Sequence, residues 1–422
     1  MEVNKTIPVK IFSNRVATML VYCLVIFIFI SDGFELFGQI EEGSATVLQR
    51  AIQFFVAMPI ALGFLYCLHF NPIKLLTPLG IYLLIRLCID IITQQKAPFL
   101  LEDILIIFAL FILNTLPKES IFLAIRLIIR ITTAFALLAL IKILIVLLFP
   151  GLVNSPSLSW MGRSTEVLII GPLIFGRSSS FAAEPSLNVL FFIMPAILSI
   201  FIYNTYKTKY FLILMTFSIL SFSGSVFLAV IVSAIAIIMM NINKQINVKF
   251  FFPYSILLAI TVYFGILNNI EKSNIAENLD FSTVNEGFDK SKSFQIRATF
   301  ASINYGLMKE NPLGLGYANP KVMNIPNPLL ISVGISGGYL SIFLFLYYFF
   351  KLSSLMKRYK KQLKSNFISI VGLGLLIGAL FNFLVFNDYL IINYTGMVIL
   401  TLTYLFFKFT VRPSFQIPIL NE

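Results

Sequence analysis

The chain is poor in charge. Only 12% of its 422 residues are Asp, Glu, Lys or Arg, whereas a soluble protein carries about a quarter. A soluble globular enzyme is therefore a poor description. It has one histidine, His69, and three cysteines. Cys23, Cys67 and Cys88 each fall inside an apolar run without metal-ligand spacing, so they read as packing residues and carry no redox information. No Walker loop, no HExxH, no Cys/His cluster and no acidic DxD pair in an outer segment is found. Nucleotide-sugar and metal-dependent chemistry are disfavoured by those gaps, and no cofactor or metal site is expected. A cleavable signal is not evident either. The first apolar run, Val16 to Ile30, is followed by Asp32 and Glu35 instead of a small-residue cleavage site, so it is expected to be the first span.

What the chain does have is apolar length. It is 58% hydrophobic, with 44 Phe, 17 Tyr and a mean hydropathy of +0.91. That composition predicts an all-α polytopic membrane protein forming a single membrane domain over residues 1–422. Spans are expected near 16–31, 51–69, 75–92, 103–116, 131–149, 188–204, 210–222, 225–240, 250–267, 328–350, 366–386 and 389–407. Arg126 and Arg130 interrupt the run from Ser120, and an interfacial helix feeding the fifth span is expected there.

Charge asymmetry orients these twelve spans. With the N-terminus inside, 19 of the 31 basic residues fall on cytoplasmic segments, against three acids there, Glu2, Glu119 and Glu422. This positive-inside pattern puts both termini in the cytoplasm. The basic run KRYKK, Lys357 to Lys361, reads as a topology anchor on anionic lipid, and no nucleic-acid partner is expected.

Two outer segments are too long to be turns. One covers 150–187. It contains GRSSSFAAEPSLN, Gly176 to Asn188, where Arg177 and Glu184 stand seven residues apart before Pro185. The other covers 268–326. It begins polar and acidic, then becomes amphipathic, with Phe300, Ile303 and Leu307 at helical spacing. A helix over about 293–309 is predicted, ended by NPLGLGY, where Pro312, Gly314 and Gly316 cannot continue it. Each segment carries an arginine, Arg177 and Arg297. Arginine presents a fork of donors that fits phosphate oxygens. Two of them from distant loops can clamp a diphosphate at the outer surface, with Glu184 taking a sugar proton or steering Arg177. The alternative is a structural Arg177–Glu184 pair bracing a re-entrant loop.

Other polar residues have plainer readings. His69 reads as an interfacial cap. Arg86 and Asp90 are i,i+4 inside the third span; they are functional candidates by position, or a couple that neutralises itself. Lys142 is expected to snorkel or to line a lipid-facing groove. FSGS, Phe222 to Ser225, reads as an outer turn, and GISGGYL, Gly334 to Leu340, as close helix packing through glycines.

Several stretches together resemble one family. GRSSSFAAEPSLN looks like the arginine and Phe-x-x-Glu-Pro-Ser signature of Wzy-type bacterial polysaccharide polymerases. IRATFASINYGLMKENPLGLGY resembles that family's second outer loop, and NPLLISVGISGGYLSIFLFL its following span. FSGSVFLAVIV resembles its serine-bearing turn. The likeness in motif covers about a quarter of the chain.

The resemblance implies membership of the O-antigen ligase/polymerase superfamily and a membrane glycosyltransferase architecture of the GT-C type. It implies an enzyme that joins undecaprenyl-diphosphate-linked repeat units on the outer face of the bacterial cytoplasmic (inner) membrane. The product would be O-antigen, capsule or exopolysaccharide. A chain-length regulator is an implied partner, beside membrane lipid and the lipid-linked glycans. By the same resemblance Arg177 and Arg297 hold the diphosphate, and Glu184 is the base or orienter. Asn311, Gly314, Gly316, Tyr317 and Asn327 are assigned to substrate binding. The chain departs from the family's ligases before the tenth span. NIPNPLL holds Asn324 and Asn327 where a histidine is expected, which favours a polymerase over a ligase and leaves the general base open. A lipid-linked oligosaccharide flippase is the alternative from another class. It would more often carry cavity charges and internal repeats, and no convincing repeat is found.

Overall fold

The computed structural model describes residues 14–30, 44–70, 77–93, 97–149, 166–170, 173–177, 188–203, 209–220, 224–242, 301–316, 319, 328–362, 367–386 and 394–411. The expected span at 250–267, the acidic first half of the second outer segment and Phe222 and Ser223 of FSGS lie outside them.

The described residues form a helical bundle with one short hairpin. The helices are α1 (Asn14–Ile30), α2 (Ser44–Phe70), α3 (Pro78–Ile92), α4 (Ala97–Thr115) and α5 (Lys118–Leu148). After the hairpin strands β1 (Glu166–Ile170) and β2 (Leu173–Arg177) come α6 (Met194–Tyr203), α7 (Lys209–Leu220) and α8 (Gly224–Ile242). Helix α9 covers 301–310, followed by α10 (Leu329–Gln362), α11 (Phe367–Phe386) and α12 (Tyr394–Thr410).

Three of these helices are long and apolar enough to cross a membrane: Ala51–His69, Lys118–Ile145 and Leu329–Gln362. Seven shorter apolar helices accompany them. Apolar side chains also face outward in stripes of helical period. Phe55, Met58, Leu62 and Leu65 do so on α2, and Phe343, Tyr347 and Phe350 on α10. In water such stripes would be uncovered patches. They are compatible with a membrane protein. Inside the bundle, hydroxyls are satisfied locally. Thr132, Thr133, Ser199, Ser218 and Thr403 donate to carbonyls three or four residues back, at 2.6–2.8 Å, so each can be buried without a distant partner.

Two expectations are corrected. Helix α5 is one uninterrupted helix of 31 residues, not an interfacial helix feeding a separate span. No proline or glycine lies between Lys118 and Leu148 to break it. Lys142 is 1% exposed. It sits on the face of α5 that carries buried Ala139 and Ile143, so it neither snorkels nor faces lipid.

Helix α6 is entered through a π-helical turn, Val189–Ile193, in which Met194 N donates to Val189 O. The cause is in the sequence. Pro195 has no N–H and its ring would strike the carbonyl of Phe191 in a regular helix, and a widened turn relieves that clash.

Among the described residues, α8 and α11 share the most extensive helix contact. Gly374 and Gly378 stand four residues apart on α11 and meet Ile237, Ser233 and Ala229 of α8. A Cβ on Gly378 would run into the Ala229 carbonyl and the Ser233 hydroxyl. Small residues on both helices let the backbones touch, which is how helices associate where no hydrophobic effect separates side chain from lipid. Gly378→Ala should therefore cost about 1–3 kcal/mol by overpacking, read as a lower melting temperature of the purified protein. An unchanged melting temperature would mean that the two helices separate freely.

Candidate functional site

The loop after α9 and a break in α10 form one unit. Gly337 (φ −141°, ψ 15°) and Gly338 (φ 72°, ψ −176°) leave the helical conformation inside α10. The second lies in a region open essentially to glycine alone. In an intact helix Tyr339 N would donate to Ile335 O. Here Tyr339 N donates to Pro312 O at 3.0 Å, and Leu315 N donates to Ile335 O at 2.7 Å. The loop thus takes over one donor and one acceptor that the break releases. Burying non-helical backbone in an apolar bundle is tolerated when every freed group finds such a partner. Gly314 (φ 95°) has no Cβ because Gly338 N and Gly337 occupy its place.

The glycines of GISGGYL therefore do more than close packing. Gly334 does serve close packing: a Cβ there would strike Met308 of α9. Gly337 and Gly338 instead make the break. Helix α9 is anchored on the first turns of α10 by Ala301, Met308, Ile331 and Ile335. Its buried face is Ala301, Asn304 and Met308, one residue out of phase with the predicted stripe. Ile303 is exposed and Leu307 half-buried, while Phe300 lies outside the described residues. The slot over Gly334 accepts the slender Met308, which sets the phase.

Under this loop lies a buried ionic cluster. Arg86 of α3 faces Asp103 of α4, Nη2 to Oδ1 at 2.6 Å, and Asp90 on its own helix, Nε to Oδ2 at 3.9 Å. All three are buried, at 5%, 1% and 2% exposure. Arg86 is therefore not simply self-paired with Asp90; its shorter contact is across helices. One guanidinium meets two carboxylates, so the cluster carries one negative charge when both acids are ionised. Gly316 (φ 82°) is seated directly on it: a Cβ would collide with Asp90 Oδ1. One turn back on α3, Tyr82 hydrogen-bonds through its hydroxyl to Ser336 Oγ of α10 at 3.0 Å. Helices α3, α4 and α10 and the loop thus converge at one end of the bundle.

The hairpin carries the first arginine. Glu166 to Ile170 pairs antiparallel with Leu173 to Arg177, and the register sets Glu166 opposite Arg177. Two short apolar runs on either side of Gly171 and Pro172, the first rich in Val and Ile, fit the strands. A cross-strand position is adjacent, so Glu166 is a nearer acid in the backbone frame than sequence spacing suggested. Glu184, Arg297, Tyr317 and Asn327 lie outside the described residues. Asn311 ends α9: its backbone N and its Nδ2 both donate to Leu307 O, at 3.1 and 2.9 Å. Gly314 and Gly316 are engaged with Gly338 and Asp90, so their immediate task is to seat the loop.

Three residues here escaped sequence reading: Asp103, Ser336 and Asn188. Asp103 signals itself only as an acid leading an apolar helix, and Ser336 lies between glycines. Asn188 closes the Arg177 stretch. It is fully buried, and neither of its amide atoms hydrogen-bonds among the described residues. His69 is exposed in the last turn of α2, and Cys67 packs against Thr115 Oγ1 at 3.1 Å. Compared with known proteins, the chain matches no family model, and no curated sequence is significantly similar to it.

Removing one acid of the cluster should be asymmetric. Asp103→Ala takes away the close partner of a buried guanidinium and should cost about 3–5 kcal/mol. Asp90→Asn leaves a balanced pair and should cost clearly less. Chemical or thermal unfolding of the two variants in detergent reads the difference, and equal losses would dismiss the cross-helix pair. Gly338→Ala forces a Cβ onto Pro312 O and Leu313. It should release the loop, seen as faster amide exchange at Leu315 and Tyr339.

Proposed function

We propose that the chain is a polysaccharide polymerase of the Wzy type in the bacterial cytoplasmic membrane. In this reading it has about twelve spans, a GT-C-like architecture and both termini in the cytoplasm. The observation that carries the reading is the seating of the Asn-Pro-Leu-Gly-Leu-Gly loop in the glycine break of α10. Two separately recognised stretches thereby act together, as a built loop at one end of the bundle instead of a mere connection. Arg297 precedes α9 by four residues in the chain, and Arg177 closes β2 before the π turn of α6.

The donor is a glycan on undecaprenyl diphosphate, and the acceptor is the terminal sugar of a second lipid-linked unit. The acceptor hydroxyl oxygen attacks the anomeric carbon of the donor. The bond from that carbon to the diphosphate oxygen breaks, and undecaprenyl diphosphate leaves with the electron pair. The hydroxyl proton passes to a base, for which Glu184 is the candidate. Arg177 and Arg297 offset the charge that develops on the leaving diphosphate. The positive-inside pattern supports an outer location for both loops. A chain-length regulator is a proposed partner, and no metal or cofactor enters the scheme.

One observation favours a second reading. Buried ionisable residues inside an apolar bundle commonly mark transport pathways, and the Arg86–Asp90–Asp103 cluster is of that kind. A lipid-linked oligosaccharide flippase is therefore the competing function. Purified protein in nanodiscs, supplied with lipid-linked repeat units and neither nucleotide sugar nor metal, decides between them. The expected product is a ladder spaced by one repeat unit. Arg177→Ala or Arg297→Ala should slow it by about 10²–10³-fold, and Arg→Lys should restore little because the donor fork is lost. Absence of a ladder, with repeat units crossing a liposome bilayer, would establish the flippase instead.

A further inference from the structure

A second polar site lies at the opposite, basic end of the bundle. It is a cavity of about 230 Å³ between the start of α3, the last turns of α4, the second half of α10 and the end of α12. Thirteen residues of α3 separate it from Asp90, roughly 20 Å at helical rise. Two of the ten described lining residues are lysines, Lys351 and Lys408, and none of those ten is acidic. The N-terminus of α3 opens at its wall, where Thr77 caps the helix by accepting from Gly80 N at 3.1 Å. That end of a 15-residue helix adds partial positive charge. Tyr404 and Tyr348 contribute phenol groups from α12 and α10. Thr401, 3% exposed, also lines the cavity. Its hydroxyl lies beside that of Tyr348 without a well-formed hydrogen bond among the described residues; the Tyr348 hydroxyl donates to Leu400 O at 3.3 Å.

We propose that this cavity binds a phosphate group, independently of the chemistry assigned to the other end. Two ammonium groups and a buried hydroxyl form a donor set for phosphate oxygens, and the positive end of the α3 dipole adds to the field. The phosphate comes either from the headgroup of an anionic phospholipid or from solution. The surroundings favour the lipid. Lys351 lies over the Tyr347 ring, Nζ to centroid 4.5 Å, and Tyr347 belongs to the outward apolar stripe with Phe343 and Phe350. A phospholipid with its tails on that stripe brings its headgroup to Lys351. Basic pockets between helices on the cytoplasmic side are suited to such headgroups.

The test uses the whole protein in a neutral detergent, with native mass spectrometry reading the lipid retained. Phosphatidylglycerol should bind at least tenfold more tightly than phosphatidylcholine. Lys351→Gln and Lys408→Gln should each weaken it about fivefold, whereas Lys357→Gln, on the same end outside the cavity lining, should change it less than twofold. Thr401→Val, which keeps size and apolar packing, should weaken it as well. Inorganic phosphate competing at millimolar concentration, with the same dependence on the two lysines, would identify a soluble phosphate as the ligand. Equal affinity for the two lipids in the wild-type protein, with no phosphate competition, would overturn the proposal without recourse to any variant. Lysine variants that stay folded and bind phosphatidylglycerol normally would overturn it too.

Discussion

Two backbone hydrogen bonds hold the rest of this arrangement in place: Tyr339 N to Pro312 O and Leu315 N to Ile335 O. They exist because α10 is broken at Gly337 and Gly338. A broken helix in an apolar setting exposes donors and acceptors that water cannot satisfy, and each left unpaired costs several kcal/mol. The loop after α9 supplies both partners. Break and loop therefore require one another. From that joint the remaining contacts follow. Gly314 nests on Gly338, Gly316 is carried onto Asp90, and Met308 fills the slot over Gly334.

The two ends of the bundle handle charge in different ways. At the loop end, charge is buried, with Arg86 held between Asp103 and Asp90 and one carboxylate in excess. Such a cluster is costly to desolvate and is weak as a source of stability. Its position beneath Gly316 makes it a foundation for the loop, because a carboxylate fills the place that a side chain would take. At the other end, Lys351 and Lys408 line a cavity with no acid among its described lining residues. A cavity lined by two cationic side chains favours an anionic ligand. The same helices, α3, α4 and α10, reach both ends, so the loop and the basic cavity share one frame.

The proposed glycosyl transfer fits that division. A polymer too large to cross the bilayer is lengthened on the side where it is used, and the lipid-linked donor meets the protein at the interface. On that proposal the loop end offers backbone held in the break of α10, and the two arginines come from segments that precede α9 and end β2 in the chain. Neither end needs a bound metal for the roles assigned to it.

Much of the fold was legible in the chain alone. Composition pointed to a helical chain compatible with a membrane, because 58% apolar residues in recurring runs exceed what a soluble chain usually carries. Pattern located most helices to within a few residues, since their ends fall at prolines, glycines and charges. It marked Arg86 and Asp90 as unusual, and it ended α9 at Pro312. Pairing across the chain was beyond its reach. Asp103 meets Arg86 only because α4 packs on α3. Glu166 faces Arg177 only through strand register. The glycines of α10 read equally well as packing residues until the loop was seen to occupy their break. The phase of α9 was set by a slot on another helix, not by its own most apolar stripe. Local propensity acts within a few residues of sequence, whereas these contacts join groups up to 254 residues apart, as in Tyr82 and Ser336. Such pairs are decided by which surfaces can approach closely and which buried polar groups must find a partner, and only the tertiary structure decides that.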